Sequence, residues 1–262
     1  MVIEKNRWIR NGIALAIESI KVLFRNPILL VYTLVPLLTS LLMLLFIVPS
    51  YYVLMHQQTP FSFDQVEPWM IIATIIFIII SLLMNAFFMC GLAHHTMHIL
   101  RQHPITVKES FHWVRRHVQQ ILGWILLPFL VIIISAIILF PAAISLPTIV
   151  SAVIAIGIVI SAGCVFFCTP VGTTIIATEK IPVLHALKRA MYLVWSHLGT
   201  YLVMLFGLSL IVSLLMLPIK LLFDLPGSGP FVFLSMIANT IFYYEFYVKN
   251  EEVVVYHEQK DF

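Results

Sequence analysis

PITVKESFHWVRRHVQQ, residues 104–120, lies between two long apolar runs, and its polarity repeats with a helical period. Val107, Phe111, Val114 and Val118 recur at three- and four-residue spacing, while Lys108, His112, Arg115, Arg116 and Gln119 fall on the other side. Thr106 and Glu109 form a T-x-x-E capping box, in which two orphan amide donors at a helix start find side-chain partners. The stretch predicts a basic amphipathic helix lying on a surface. Two other basic amphipathic stretches precede apolar runs, so the chain reads as three copies of one unit.

With 61% hydrophobic and 10% charged residues over 262 positions, the composition excludes a soluble globule, in which about a quarter of residues are charged. Six apolar runs are long enough for a hydrocarbon core of about 30 Å, which needs roughly 20 helical residues. They fall at 28–54, 69–90, 121–140, 148–168, 198–219 and 231–248. The expected fold is therefore all-α, a single six-span membrane bundle with three interfacial helices on one side, followed by an acidic tail at 249–262. The first run is too long for a signal-peptide core and is read as a retained span.

Orientation follows from charge. Of the fifteen Lys and Arg residues, all but Lys220 lie in the N-terminal segment, the second and fourth loops or the tail. The positive-inside rule then puts both termini in the cytoplasm. This one-sided basic distribution points to anionic lipid head groups as partners and away from nucleic acid. The residues expected to make those contacts are Arg7, Arg10, Lys21 and Arg25 before the first span, Arg115 and Arg116 before the third, and Lys188 and Arg189 before the fifth.

Residues 7–25, RWIRNGIALAIESIKVLFR, set Ile9, Ile13, Ile17, Ile20 and Phe24 against the basic positions and end at Asn26-Pro27. In residues 181–199, IPVLHALKRAMYLVWSHLG, an apolar stripe of Leu184, Leu187, Met191 and Val194 opposes His185, Lys188 and Arg189, and Gly199 is expected to close the helix in a left-handed conformation. Pro36 and Pro49 predict kinks in the first span, and PAAISLP at 141–147 a tight turn between spans three and four. Ser151, Ala155, Gly157, Ser161 and Gly163 are small residues suited to close helix approach. Asn85, Asn239 and Thr240 are polar positions within spans, expected to bond neighbouring helices. Glu18-Ser19, Glu109-Ser110 and His185-Ala186 occupy matching places in the three units, and since every hairpin starts and returns on one side, the repeats would be parallel.

The sharpest chemical constellation is His94, His95, His98 and His103, followed by His112 and His117 and joined on the same side by His185 and His197; His94 and His98 are four apart on one helix face, a spacing that suits two ligands of one metal. Histidine-rich membrane oxygenases place clusters at such span ends, but HHTMH lacks the H-x-x-H-H order and has no second box. Histidines at an interface are usually amphipathic surface residues, which is the preferred account of the cluster, so no metal or other cofactor is assigned. Cys90, Cys164 and Cys168 fall in or at the ends of spans and predict no disulfide framework. No G-x-S-x-G, Walker loop or H-E-x-x-H occurs, and no ionisable group lies at mid-depth in a span, where ion-coupled transporters generally need one.

The segment CTPVGTTIIATEKIPVLHALKRAMYLVWSHLGTYL, residues 168–202, resembles a group of bacterial six-span families of mostly unknown function. These include the membrane domain attached to some glycerophosphodiester phosphodiesterases. Pro170, Glu179, Ala186, Leu187, Arg189 and Ala190 carry the likeness, with alanine at the last position where serine is common, and IESIKVLFRNPILL fits the same pattern. The resemblance implies a multipass protein of a bacterial cytoplasmic membrane without the phosphodiesterase chemistry. The expected function is a non-enzymatic scaffold, lipid-interacting or permease-like component; the alternatives are a transporter of a small amphiphile and a histidine-ligated oxygenase.

Overall fold

The computed structural model describes residues 7–32, 34, 68–145, 148–223 and 228–249. These residues are helical almost throughout, with no strand among them. The elements are α1 (Arg7–Arg25), a 3-10 turn (Pro27–Leu30), α2 (Pro68–Leu100), α3 (Val107–Arg116), α4 (Val118–Ser145), α5 (Thr148–Thr178), α6 (Val183–Ser196), α7 (Leu198–Phe223) and α8 (Ser228–Tyr243), which ends in one π-helical turn (Tyr244–Val248). Most of the first run, with Pro36 and Pro49, and the tail beyond Lys249 lie outside the described residues.

Several helices outrun the apolar segments that nucleate them. α2 continues through GLAHHTMHIL until the turn at Gln102, whose φ is 59°. α5 passes through Pro170, and Thr169, Thr173, Thr174 and Thr178 each return a hydroxyl hydrogen to the carbonyl four residues back. Such bonds absorb polar groups without a partner helix. The expected turn at 141–147 is largely helix, since α4 runs to Ser145.

Two of the amphipathic stretches are set off from the apolar helices after them by breaks of a single residue. α3 stops at His117 and α4 starts one residue later; α6 stops at His197 and α7 begins at the next position. The α6–α7 corner turns through 88°. Gly199 therefore lies inside α7 and takes no left-handed conformation, contrary to the cap expected there, because His197 already ends α6 with its amide bonded to Leu193 O. Its lack of a side chain serves instead to admit the Trp8 ring.

Packing is organised around α2, α5 and α8, which touch pairwise. α3 leans on α2, α6 on α5, and α1 on both α7 and α8. Two contacts between helices depend on missing side chains: Gly12 of α1 faces Thr200 O and Val203, and Gly172 of α5 lies under the Trp124 ring. Of the small residues expected to pack α5, Gly157 and Gly163 mark no close approach among the described residues, since a methyl group at either would meet nothing within 4 Å.

Among the described residues one helical stretch, Ile79–Leu100 within α2, has by itself the length and composition needed to cross a membrane; Val183–Ser196 with Leu198–Leu214 meets the requirement only if the bent pair is taken as one span. Val118–Pro128 and Phe167–Thr178 are shorter apolar helical segments.

Candidate functional site

The turn after α2 reverses the chain so that α3 docks on the last turns of α2. Its N-terminus is built as the T-x-x-E spacing requires: Glu109 N donates to Thr106 Oγ1 at 3.2 Å, and Thr106 N donates to Glu109 Oε2 at 2.7 Å. The hydrogen bond from the Thr106 backbone, followed by that from its side chain, holds the exposed Glu109 carboxyl below its ordinary range. The apolar side of α3 is consumed by packing. Phe111 sits 5.3 Å from Tyr32 and 4.8 Å from Phe88 by ring centroids, and Val114 is buried.

Ser110 fixes the docking. Its hydroxyl donates to Gly91 O at 2.8 Å, so its oxygen is left to accept from His94 Nδ1 at 3.3 Å. A carbonyl can only accept, and this network therefore assigns the Nδ1–H tautomer to His94. The same reasoning gives His117 a proton on Nδ1, 2.9 Å from Trp113 O. His98, His94, Trp113 and His117 form a ladder of rings with successive centroids 4.7, 4.7 and 4.1 Å apart.

The four histidines singled out from the sequence are thus divided. His94 and His98 share the ladder, His95 turns to the Tyr32 hydroxyl at 2.9 Å, and His103 lies on the exposed turn. Among the described residues no three His, Cys, Asp or Glu side chains are placed to hold one metal ion. His117 belonged to the wider histidine group read from the sequence, whereas Trp113 did not. Their i,i+4 spacing was visible, but only the docking of α3 brings them against His94.

Two depressions flank this helix. The larger, about 640 Å³, is lined by α3 and its cap, with no opposing wall among the described residues. The second, about 300 Å³, lies between α2, α3 and the link after α5, with His94, His98, Trp113, Arg116 and Lys180 among its walls. Arg116 and Lys180 are exposed and make no ion pair among the described residues, and His98 Nδ1 is buried with no hydrogen-bond partner among them.

The other basic residues fall into different settings. Arg7 opens α1. Arg10, Lys21 and Arg25 lie on its exposed side, the last two 3.6 and 3.9 Å from Glu18. Arg115 and Lys188 are exposed. Arg189 is held inward: it pairs with Glu179, which also accepts from the Tyr243 hydroxyl, and its guanidinium lies 4.5 Å from the Tyr247 ring centroid. The carboxylate and two aromatic rings tie α5, α6 and the end of α8 together.

α1 carries three sectors. Gly12, Leu15, Ala16, Ser19 and Val22 are buried, Ile13, Ile17 and Phe24 are exposed, and the basic residues follow. α6 repeats this with Ala186, Ala190, Leu193 and Val194 buried, and Leu184 and Trp195 exposed beside Lys188. Leu184, assigned to the same stripe as the buried Val194, is 70% exposed, because small alanines let α6 approach α5 more closely on the other side. Asn85 and Asn239 each donate to the carbonyl four residues back in their own helices, as does Thr240; Asn239 Oδ1 is buried without a partner among the described residues. No family model, curated protein or solved structure matches the chain.

Proposed function

We propose that the chain is a six-span protein of a bacterial cytoplasmic membrane whose amphipathic helices α1, α3 and α6 lie along the inner leaflet and engage anionic lipid head groups. Its role is that of a non-enzymatic, lipid-interacting scaffold. The observation that carries this reading is the 88° corner between α6 and α7. A helix set at right angles to an apolar column lies in the membrane plane when the column crosses it. Its exposed Leu184 and Trp195 then reach the acyl boundary, with Lys188 beside them at head-group level. α1 offers the same combination through Phe24, Ile13 and Ile17, and Phe24 at 79% exposure has no other cover among the described residues.

The packing supports three parallel repeats. Each amphipathic helix leans on the second column of the preceding unit, α3 on α2, α6 on α5 and, closing the ring, α1 on α8. The polar residue at each corner supports the relation: Asn26 Nδ2 returns to Val22 O and His117 Nδ1 to Trp113 O, both four residues back, and His197 holds the third corner. A buried aromatic, Tyr32, Trp124 or Tyr201, sits shortly after each corner.

Charge near an anionic surface is worth about 1 kcal/mol per residue. In nanodiscs of mixed phosphatidylcholine and phosphatidylglycerol, the wild-type protein is expected to enrich phosphatidylglycerol in its annulus, and Arg10→Glu, Lys21→Glu and Lys188→Glu combined to abolish that enrichment. Equal enrichment by both proteins refutes the reading.

A further inference from the structure

We propose that the cavity between α2, α3 and the α5–α6 link binds a phosphate group, presented by a lipid head group or by a free phosphate ester. The lipid arm rests on the function proposed above, whereas the free-phosphate arm does not.

Its walls come from separate parts of the chain, so it is assembled by the fold and is no groove of a single helix. Arg116 and Lys180 line it with two exposed cations that form no ion pair among the described residues. A guanidinium and an ammonium facing one space repel each other until an anion enters, and the guanidinium fork matches phosphate oxygens in a bidentate manner. Burial holds the His94 and His98 imidazoles below the usual histidine range, so they face the space uncharged; the Nδ1–H of His94 is already given to Ser110, whereas His98 Nδ1 lacks a partner among the described residues and can present one N–H. Trp113, stacked between His94 and His117, holds that wall rigid.

The one carboxylate at the cavity, Glu109, stays ionised because Thr106 N at 2.7 Å and Thr106 Oγ1 at 3.0 Å both donate to its Oε2; it offsets one of the two cations, and the net charge of the walls remains positive. A divalent cation is a poorer occupant: His94 and His117 are stacked face to face with Trp113, and the two remaining charges are positive. A volume of about 300 Å³ is at the small end of ligand sites. It suits a phosphate with a short substituent.

The test uses the full chain in neutral detergent and in nanodiscs. Inorganic phosphate is titrated calorimetrically in detergent; phosphatidylglycerol is titrated into phosphatidylcholine nanodiscs and bound lipid counted by native mass spectrometry. Saturable binding of one phosphate in detergent identifies the free-phosphate source. One tightly held phosphatidylglycerol without phosphate binding identifies the lipid source. Either result supports the site if Arg116→Gln and Lys180→Gln each weaken binding about tenfold or more, with the melting temperature unchanged.

Both residues are exposed, so these variants should fold, and His98→Ala provides a third that leaves the fixed charges in place and is expected to weaken binding less. Wild-type-like binding by Arg116→Gln and Lys180→Gln overturns the proposal. So does the absence of saturable binding of both probes, or stoichiometric zinc binding lost in His98→Ala. Annular phosphatidylglycerol enrichment through α1 and α6 is expected to survive the cavity variants, which separates failure of this site from failure of the interfacial reading.

Discussion

Gly172 is the position where the packing of α4 on α5 depends most on the absence of a side chain. A Cβ there would fall inside the van der Waals envelope of Trp124 Cζ2 and Cη2, with Cε2 at 3.2 Å. The indole cannot swing away freely, since it is 3% exposed and its Nε1 donates to Thr173 Oγ1 at 3.0 Å. Replacing Gly by Ala inside a helix gains about 1 kcal/mol from backbone propensity. Overpacking costs roughly 1–3 kcal/mol, and weakening the partly buried Trp124 hydrogen bond about 1 kcal/mol more. Gly172→Ala is therefore expected to destabilise by about 1–3 kcal/mol net, or roughly 2–10 °C in apparent melting temperature for a chain of this size.

Gly157→Ala, where a methyl group meets nothing among the described residues, retains only the propensity gain and should melt at or slightly above wild type. In a Trp124→Phe background the same change at Gly172 should cost less, because the outer indole ring is gone. The assay is intrinsic-fluorescence melting of detergent-solubilised protein. The reasoning is refuted if Gly172→Ala melts no lower than Gly157→Ala, or if its cost is undiminished with phenylalanine at position 124.

Glu179→Gln removes the charge that Arg189 and the Tyr243 hydroxyl share, and should destabilise by about 1 kcal/mol, at the low end for a charged hydrogen bond because the pair is a quarter to a third exposed. In that background Arg189→Gln should cost less than it does alone, and strict additivity in thermal melts would show the network to be inert. For Glu109, the folded carboxyl lies below its ordinary range, so its contribution is complete above the unfolded value and is lost as pH falls through the folded one. Amide exchange across the first turn of α3 should therefore rise on acidification in the wild type relative to Glu109→Gln. Parallel pH profiles would show the capping box to be energetically silent.

The sequence was most legible where a local rule acts alone. Thr106 and Glu109 specify their cap by spacing, and Asn26-Pro27 ends α1 at Arg25 because proline has no amide to give. The breaks at His117 and His197 were missed because neither position carries Pro or Gly; in the six-span reading they fall where the polar and apolar environments meet, which one straight helix cannot face at once. α1 and α6 read as two-sided, yet each has a second buried sector made of Gly12, Ala16 and Ser19 or Ala186 and Ala190. A hydropathy stripe undervalues such residues, since their contribution is the closeness of approach rather than area buried. The histidine group was visible as a cluster, but its division between the Tyr32 contact and the Trp113 ladder depends on α3 folding back. The pairing of Arg189 with Glu179 spans a helix end and has no periodic signature.

The single-residue joint at His197 has a mechanical consequence in the six-span reading. With no slack between rod and column, α7 cannot slide along the bilayer normal unless α6 is pulled from the water boundary or pushed into oil. One residue of slippage, about 1.5 Å of rise, would drag Lys188 and Trp195 off their preferred level together. The joint thus works as a depth gauge, pinning the vertical register of the bundle without any charge inside the hydrocarbon.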